Sequence, residues 1–207
     1  PQTGQAIALL EGSSLTAIRT GAGSGAAIDI LARSDSRVLA VFGAGVQGRT
    51  QTEDACSVRK IETVWVYDAS AEQSKKFAAE MLGRESIPVD IHVAESPAQA
   101  LKHADIVCTA TTSNTPVFDD RDLKAGTHIS AVGSYTPEMQ EVPSDTVAGA
   151  RVVVDSRSAT LAETGDLVKP IQAGLFTETH IAAELGEILL GRKAGRQNDS
   201  EITYFKS

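Results

Sequence analysis

Three glycines, Gly43, Gly45 and Gly48, stand at the spacing Gly-x-Gly-x-x-Gly directly after the apolar run Val38 to Phe42. Each type and position has a physical task in holding phosphate. Gly43 allows a tight turn out of a strand, Gly45 lets backbone approach a pyrophosphate, and Gly48 lets the following helix pack close to a sheet. The N-terminus of that helix offers free N–H groups and a partial positive charge. Asp68 follows Gly48 by 20 residues, the separation expected of a carboxylate that accepts hydrogen bonds from an adenosine ribose. The alternative, packing glycines and a helix-capping Asp68, is set aside because a buried strand precedes the loop and a helix follows it.

A carboxylate at position 68 repels a 2′-phosphate, and the adjoining segment ASAEQ contains no arginine to bind one. NAD(H) is therefore expected rather than NADP(H). Lys75 and Lys76, a turn or two into the next helix, are the nearby cations that would favour the phosphorylated cofactor.

The elements that must position these residues alternate along the chain. Residues 6–11 and 14–20 read as a hairpin of two apolar strands, followed by a small-residue helix in 21–34. From residue 37 onward, strands are expected at 37–43, 61–68, 89–94, 105–111, 127–133, 150–156 and 201–206. Helices are expected at 46–58, at 70–83 ending on Gly83, and at 96–104 with Ser96 as cap and Pro97 in the first turn. A short turn of helix is expected at 120–126, and further helices at 156–163, 166–173 and 180–190. This alternation predicts an α/β fold of Rossmann type, a doubly wound and mostly parallel sheet.

Composition narrows the function classes. The chain has 207 residues and a formal net charge of -8, which disfavours a nucleic-acid or anionic-membrane surface. No apolar run approaches membrane-spanning length, and no signal peptide opens the chain. Cys56 and Cys108 are too few for a disulfide framework or a cysteine-rich metal site, and Cys108 reads as a small buried apolar residue. This favours a cytoplasmic setting. His92, His103, His128 and His180 are scattered without metal-ligand spacing, so no metal is expected and structural roles are assigned to each. Ser24 and Ser158 lack the partners of a hydrolase triad. Pro1 at the start and a strand at the end suit a segment of something longer.

The segments LTAIRTGAGSGAA, VFGAGVQGRTQ, ADIVCTATTSNTPVF, GTHISAVGSYTPEMQEVP, VVVDSRSATLAETGDL, ELGEILLGRKAGR and ITYFKS together resemble the ornithine cyclodeaminase and mu-crystallin family, essentially from end to end. The resemblance implies a nicotinamide-dependent enzyme that moves hydride at the α-carbon of an amino acid or its imine. It also implies a Rossmann domain joined to a substrate and dimerisation domain, and a homodimer when full length. In this division residues 1–20 are strands of the substrate domain, residues 21–200 form the NAD-binding domain, and residues 201–207 return toward the substrate domain.

By the same resemblance, Arg19 matches the arginine that clamps the substrate carboxylate, a sound use of a guanidinium fork. Thr20 matches a cofactor contact, and Val46 and Gln47 match residues whose backbone meets the pyrophosphate. Thr109 falls beside the path of the ribose and nicotinamide. Val132, Gly133 and Ser134 match the segment under the nicotinamide ring, and Ser207 a cofactor-proximal turn. Asp166 and the carboxylates around Glu141 read as helix caps and first-turn acids.

One departure bears on the reaction. Tyr135 stands where the cyclodeaminases and alanine dehydrogenases of the family carry an acid/base aspartate, and Met139 stands in place of a lysine. A phenol, with a pKa of about 10, donates a proton at neutral pH and is a poor base. This moves the expectation toward reduction of a preformed ketimine such as pyrroline-2-carboxylate, with Tyr135 either protonating the substrate or packing against the nicotinamide. The alternatives are an ornithine cyclodeaminase that uses NAD catalytically, and a non-catalytic binding protein like a crystallin.

Overall fold

The computed structural model describes residues 3–207. Eight strands form one sheet in which every neighbouring pair is parallel. They are β1 (Val38–Phe42), β2 (Thr63–Tyr67), β3 (Ile91–Val93), β4 (Ile106–Thr109), β5 (His128–Ala131), β6 (Arg151–Val154), β7 (Ile181–Glu184) and β8 (Thr203–Lys206), in the order β3-β2-β1-β4-β5-β8-β6-β7. The chain winds outward from β1 in one direction and from β4 in the other. A crevice therefore opens at the carboxyl ends of β1 and β4, the place where doubly wound sheets take their ligands.

Helices cover both faces. Helix α1 (Gly12–Leu31), α2 (Val46–Val58) and α3 (Ala71–Met81) bury Ile28, Ala55, Cys56, Phe77 and Met81 against Leu39, Val41, Val64, Val66, Ile106 and Cys108. On the opposite face α4 (Pro97–Leu101), α5 (Ser144–Gly149) and α7 (Gly165–Gln172) pack Leu101, Val147 and Leu167 on Ala40, Phe42, Val107, Ile129, Val152 and Tyr204. Helices α6 (Arg157–Glu163) and α8 (Leu185–Leu189) follow β6 and β7. Strands β1, β4 and β6 read as largely apolar runs because both of their faces are covered, and β5 (His128–Ala131) is buried on both faces despite His128 and Ser130.

The hairpin expected over 6–11 and 14–20 is not formed: residues 6–11 are irregular, and 14–20 are helix. Residues 12–31 form one 20-residue helix, started by Glu11, whose carboxylate accepts from Ser13 N (2.8 Å) and Ser14 N (2.6 Å). The small-residue helix expected from residue 21 is present as the second half of this helix, and Gly21 and Gly25 are its close-packing positions. A Cβ at Gly21 would lie 2.2 Å from Asp54 Oδ2, and one at Gly25 would lie 3.1 Å from Asp54 Cβ, so α1 lies directly on α2. The helix expected at 180–190 is also corrected. It divides into β7, which places Ile181 and Ala183 inward, and α8, whose start carries a reciprocal capping box between Glu184 and Glu187. The alanines of IAAEL favour helix locally, but an open sheet edge beside β6 takes them as strand. Strand β8, last in the chain, inserts between β5 and β6 and pairs with both.

Among the described residues no helix is long and apolar enough to cross a membrane, and no three His, Cys, Asp or Glu gather as a metal site. His92 is exposed and stacks on Trp65 at 4.5 Å between ring centroids. His128 is buried, bonds Thr203 Oγ1 at 2.8 Å, and is pushed down to about 3 by desolvation. Burial pushes the Cys56 thiol up to about 12 and the buried Cys108 thiol higher still.

Candidate active site

The cleft along the strand ends holds two cavities that meet at Ala110, Thr111 and Thr112. One, of about 640 Å³, is bounded by Phe42, Gly43, Gly45, Tyr67, Asp68 and the segment following β4. The other, of about 430 Å³, is bounded by Arg19, Gln47, Gly133, Tyr135, Lys206 and the start of α6 and α7.

The first cavity is shaped by the glycine loop. Gly43 has φ +99°, and a Cβ there would lie 2.5 Å from the Ala110 carbonyl oxygen. A Cβ at Gly48 would lie 2.0 Å from the Gly43 carbonyl oxygen, which is what brings α2 onto the strand end. Around Gly45 a Cβ would meet nothing within 4 Å, so the protein's own packing does not demand glycine there. That open space in front of a helix N-terminus is a cradle for a diphosphate. Asp68 holds the loop from its N–H side, accepting from Ala44 N (2.8 Å) and Ser70 N (2.9 Å). The cap of α3 is Ser70, so Asp68 keeps lone pairs for a ribose. Arg49 holds the loop from its carbonyl side, through Ala44 O and Gly45 O (3.0 Å), and is itself fixed by Glu80 (2.6 Å) and the face of Phe77 (5.4 Å). Nothing in the sequence reading pointed to Arg49.

The second cavity gathers Arg19, Thr20, Gln47, Val132, Gly133, Tyr135 and Ser207. Arg19 is exposed on α1 and has no hydrogen-bond or ion-pair partner among the described residues. Thr20 Oγ1 and Gln47 Oε1 are buried without partners, as polar atoms waiting for a ligand would be. Tyr135 is 56% exposed, on the tip of the loop after β5. Val46 lies just outside, in a shallow groove beside the first turns of α1 and α2. Thr109 and Ser134 sit one layer behind the wall, both buried, and Gly48 beneath the first cavity.

Behind this wall lies a buried polar cluster that the sequence reading took for helix caps. Glu141, with 0% exposure, accepts from Thr109 Oγ1 (2.9 Å), Thr111 N (2.5 Å) and Gly133 N (2.7 Å). Asp166 lies in the first turn of α7 but caps another segment, accepting from Glu141 N (2.7 Å), Val142 N (3.1 Å) and Tyr204 Oη (3.1 Å). Burial, then the neighbouring Glu141 charge, pushes Asp166 up to about 6, and burial raises Glu141 as well. The buried Lys206 ammonium on β8, favoured by both carboxylates, is lowered by its own desolvation. Only the local Gln-Glu-Val-Pro and Gly-Asp context hinted at these residues, because all their partners but Gly133 lie 24–38 positions away.

The two cavities meet in one cleft across the carboxyl ends of the strands. The model of the ornithine cyclodeaminase/mu-crystallin family matches residues 1–207. A Δ1-pyrroline-2-carboxylate reductase of Bacillus thuringiensis subsp. konkukian is 47% identical over all of the chain, which spans 63% of that protein. The structure of Thermococcus litoralis Δ1-pyrroline-2-carboxylate reductase in complex with NADH and L-proline superposes with a TM-score of 0.96 at 45% identity, over all of this chain and 64% of that one. An archaeal alanine dehydrogenase dimer with bound NAD gives 0.93 at 31% identity, over all of this chain and 63% of that one. The chain belongs to the ornithine cyclodeaminase/mu-crystallin family.

Proposed function

We propose that this chain carries the nucleotide site of an NAD(H)-dependent reductase acting on the Cα–N bond of a small amino acid or its cyclic imine, with pyrroline-2-carboxylate as the substrate. The observation that carries the reading is one continuous cleft. It joins the Gly43–Asp68 loop to a cavity where an unpaired Arg19 and Tyr135 share the wall. The named relatives that act on pyrroline-2-carboxylate support this substrate.

Bound NADH supplies the hydride that the imine carbon receives. Arg19 pairs its guanidinium with the substrate carboxylate, which fixes the α-carbon relative to the cleft. The Tyr135 hydroxyl donates the proton that the imine nitrogen needs, and its solvent exposure lets water restore it. Thr20 Oγ1 and Gln47 Oε1 find their missing partners in the cofactor. Asp68 accepts from the adenosine ribose hydroxyls and repels a 2′-phosphate. Ile7, Leu9, Leu10, Leu15 and Ile18, before and along the first turns of α1, stand exposed. Such a patch supports a covering substrate domain and a homodimer in the full-length protein, a reading the dimeric relative shares. Two buried, unpaired thiols suit the reducing cytoplasm.

The test uses the full-length protein. Titration with NADH and with NADPH, followed through Trp65 quenching, should show saturation at lower NADH concentration by about tenfold or more. NADH oxidation should then depend on added pyrroline-2-carboxylate. Ammonia release from ornithine without net NADH change would replace this reading with the cyclodeaminase. Tight NADH binding with no turnover of any imine would replace it with a binding protein.

A further inference from the structure

We propose that Glu141 is a positioning residue that sets the nicotinamide half of the cleft, by holding the loop after β4 and the loop after β5 in a single register. The proposal deepens the reading above and rests on it for the identity of the ligand.

Three donors converge on this one carboxylate from two separate loops. Thr109 Oγ1 and Thr111 N come from the end of β4, and Gly133 N comes from the end of β5. All three partners donate as arranged, so the hub must be an acceptor on both of its oxygens, which a carboxylate is and an amide is not. Gly133 shows how tight the junction is. A Cβ there would lie 2.4 Å from Glu141 Oε1 and 2.2 Å from the Thr111 carbonyl oxygen. Neither loop can shift without moving the carboxylate that holds the other.

The backbone of Glu141 is fixed just as firmly. Its N–H goes to Asp166 and its carbonyl accepts from Val117 N at 2.9 Å, while Gln140 N donates to Ser113 O at 3.0 Å. Lys169 on α7 donates to both loops, to Asn114 O (3.2 Å) and Glu138 O (2.6 Å). Gly165, at the start of α7, is pressed against the Met139 carbonyl, where a Cβ would lie at 1.9 Å. Tyr135 rides on the segment these contacts enclose. The charge itself is balanced in place by Lys206 on the neighbouring strand, and Asp166 with Tyr204 completes the cluster. By contrast, among the described residues no hydrogen bond of Glu141 reaches the Gly43–Asp68 loop, which touches, through Ala110, the segment that Glu141 holds.

The experiment compares wild type with Glu141→Gln in the full-length protein by amide hydrogen exchange and by ligand affinity. The amide places a donor against at least one of the converging N–H groups. Exchange in residues 110–112 and 132–135 should speed up together, by tenfold or more, while residues 43–48 stay as in wild type. Affinity for NADH should fall at least fivefold, whereas affinity for ADP-ribose, which lacks the nicotinamide, should stay within twofold. Turnover should fall by tenfold or more with the imine KM changed much less. Thr109→Val, which removes one donor and keeps the shape, should show the same pattern more weakly, and decides the matter if the glutamine variant does not fold. Unchanged exchange in either loop, or parallel loss of NADH and ADP-ribose affinity, overturns the proposal. If wild type reduces no imine, the functional reading fails, while the exchange comparison and the NADH to ADP-ribose ratio still judge Glu141.

Discussion

The loop at Gly43 and the loop at Gly133 both turn off the end of a parallel strand and both line the same cleft, yet they are held by different means. At Gly43 the constraint is steric and local. A turn with φ +99°, a helix packed onto the turn's own carbonyl, and a carboxylate at the end of the next strand are enough. At Gly133 the constraint is polar and buried. A glutamate eight residues on in the same loop accepts from Gly133 N, and an aspartate on α7 and a lysine on β8 hold that glutamate and balance its charge. In the proposed function the adenosine and phosphate end would lie on the loop set by steric packing, and the reacting end on the loop set by buried polar groups.

Glycine substitutions break this comparison most sharply. Gly48→Ala drives a methyl into the Gly43 carbonyl. It should abolish measurable NADH binding and lower thermal stability, by roughly 2–4 kcal/mol in denaturant unfolding. Gly45→Ala meets open space, so stability should hold within about 0.5 kcal/mol while NADH affinity falls about tenfold or more. Equal stability losses in the two variants would show that Gly45 is there for packing. At the other end of the cleft, Arg19→Ala should raise the imine KM by roughly a hundredfold, as loss of a charge-assisted carboxylate pair does. Its NADH affinity and melting temperature should be unchanged, since Arg19 is exposed and unpaired in the chain itself. An unchanged KM would remove Arg19 from the substrate site.

The remaining test concerns the pH dependence of the buried cluster. Asp166 is raised from 3.8 to about 6 in the folded state, so folding favours its protonated form. Below pH 4 both states hold the proton and no penalty exists. Between pH 4 and 6 the unfolded chain loses its proton first, and the folded state forfeits stability, up to about 3 kcal/mol once ionisation is complete. Relative to Asp166→Asn, which cannot ionise, wild type should therefore lose stability as pH rises through this window. Urea unfolding at pH 4, 5, 6 and 7 measures the difference, and a constant gap between the two proteins would contradict it.

Much of the fold was legible because its signals are local. Strands at β1, β4 and β6 announce themselves as apolar runs, Ser70 and Ser96 cap their helices, and the glycine spacing marks the turn between β1 and α2. Residues 14–20 were misread as a strand because Glu11, Gly12, Ser13 and Ser14 look like a hairpin turn between two apolar runs. They extend the helix that follows, whose Gly21 and Gly25 pack on Asp54 of α2, a contact between segments about 30 positions apart. Strand β7 was misread because IAAEL has helical propensity, which pairing to β6 outweighs. Helix α5 was not expected at all, and its short Ser-Asp start gave little periodicity to find.

The sequence by itself determined the parallel α/β plan, the diphosphate cradle and the carboxylate at Asp68, since strand, turn and helix positions fix these within some 30 residues. It also placed Tyr135 in the site, by kinship with a family pattern. Only the tertiary structure decided that Glu141, Asp166, Tyr204 and Lys206 form one buried cluster beneath the reacting end. The physical reason is desolvation. A charge placed inside a protein must find its donors and its counter-charge there, and which ones it finds depends on strand order. Here the last strand of the chain slides between the fifth and sixth and brings the lysine with it.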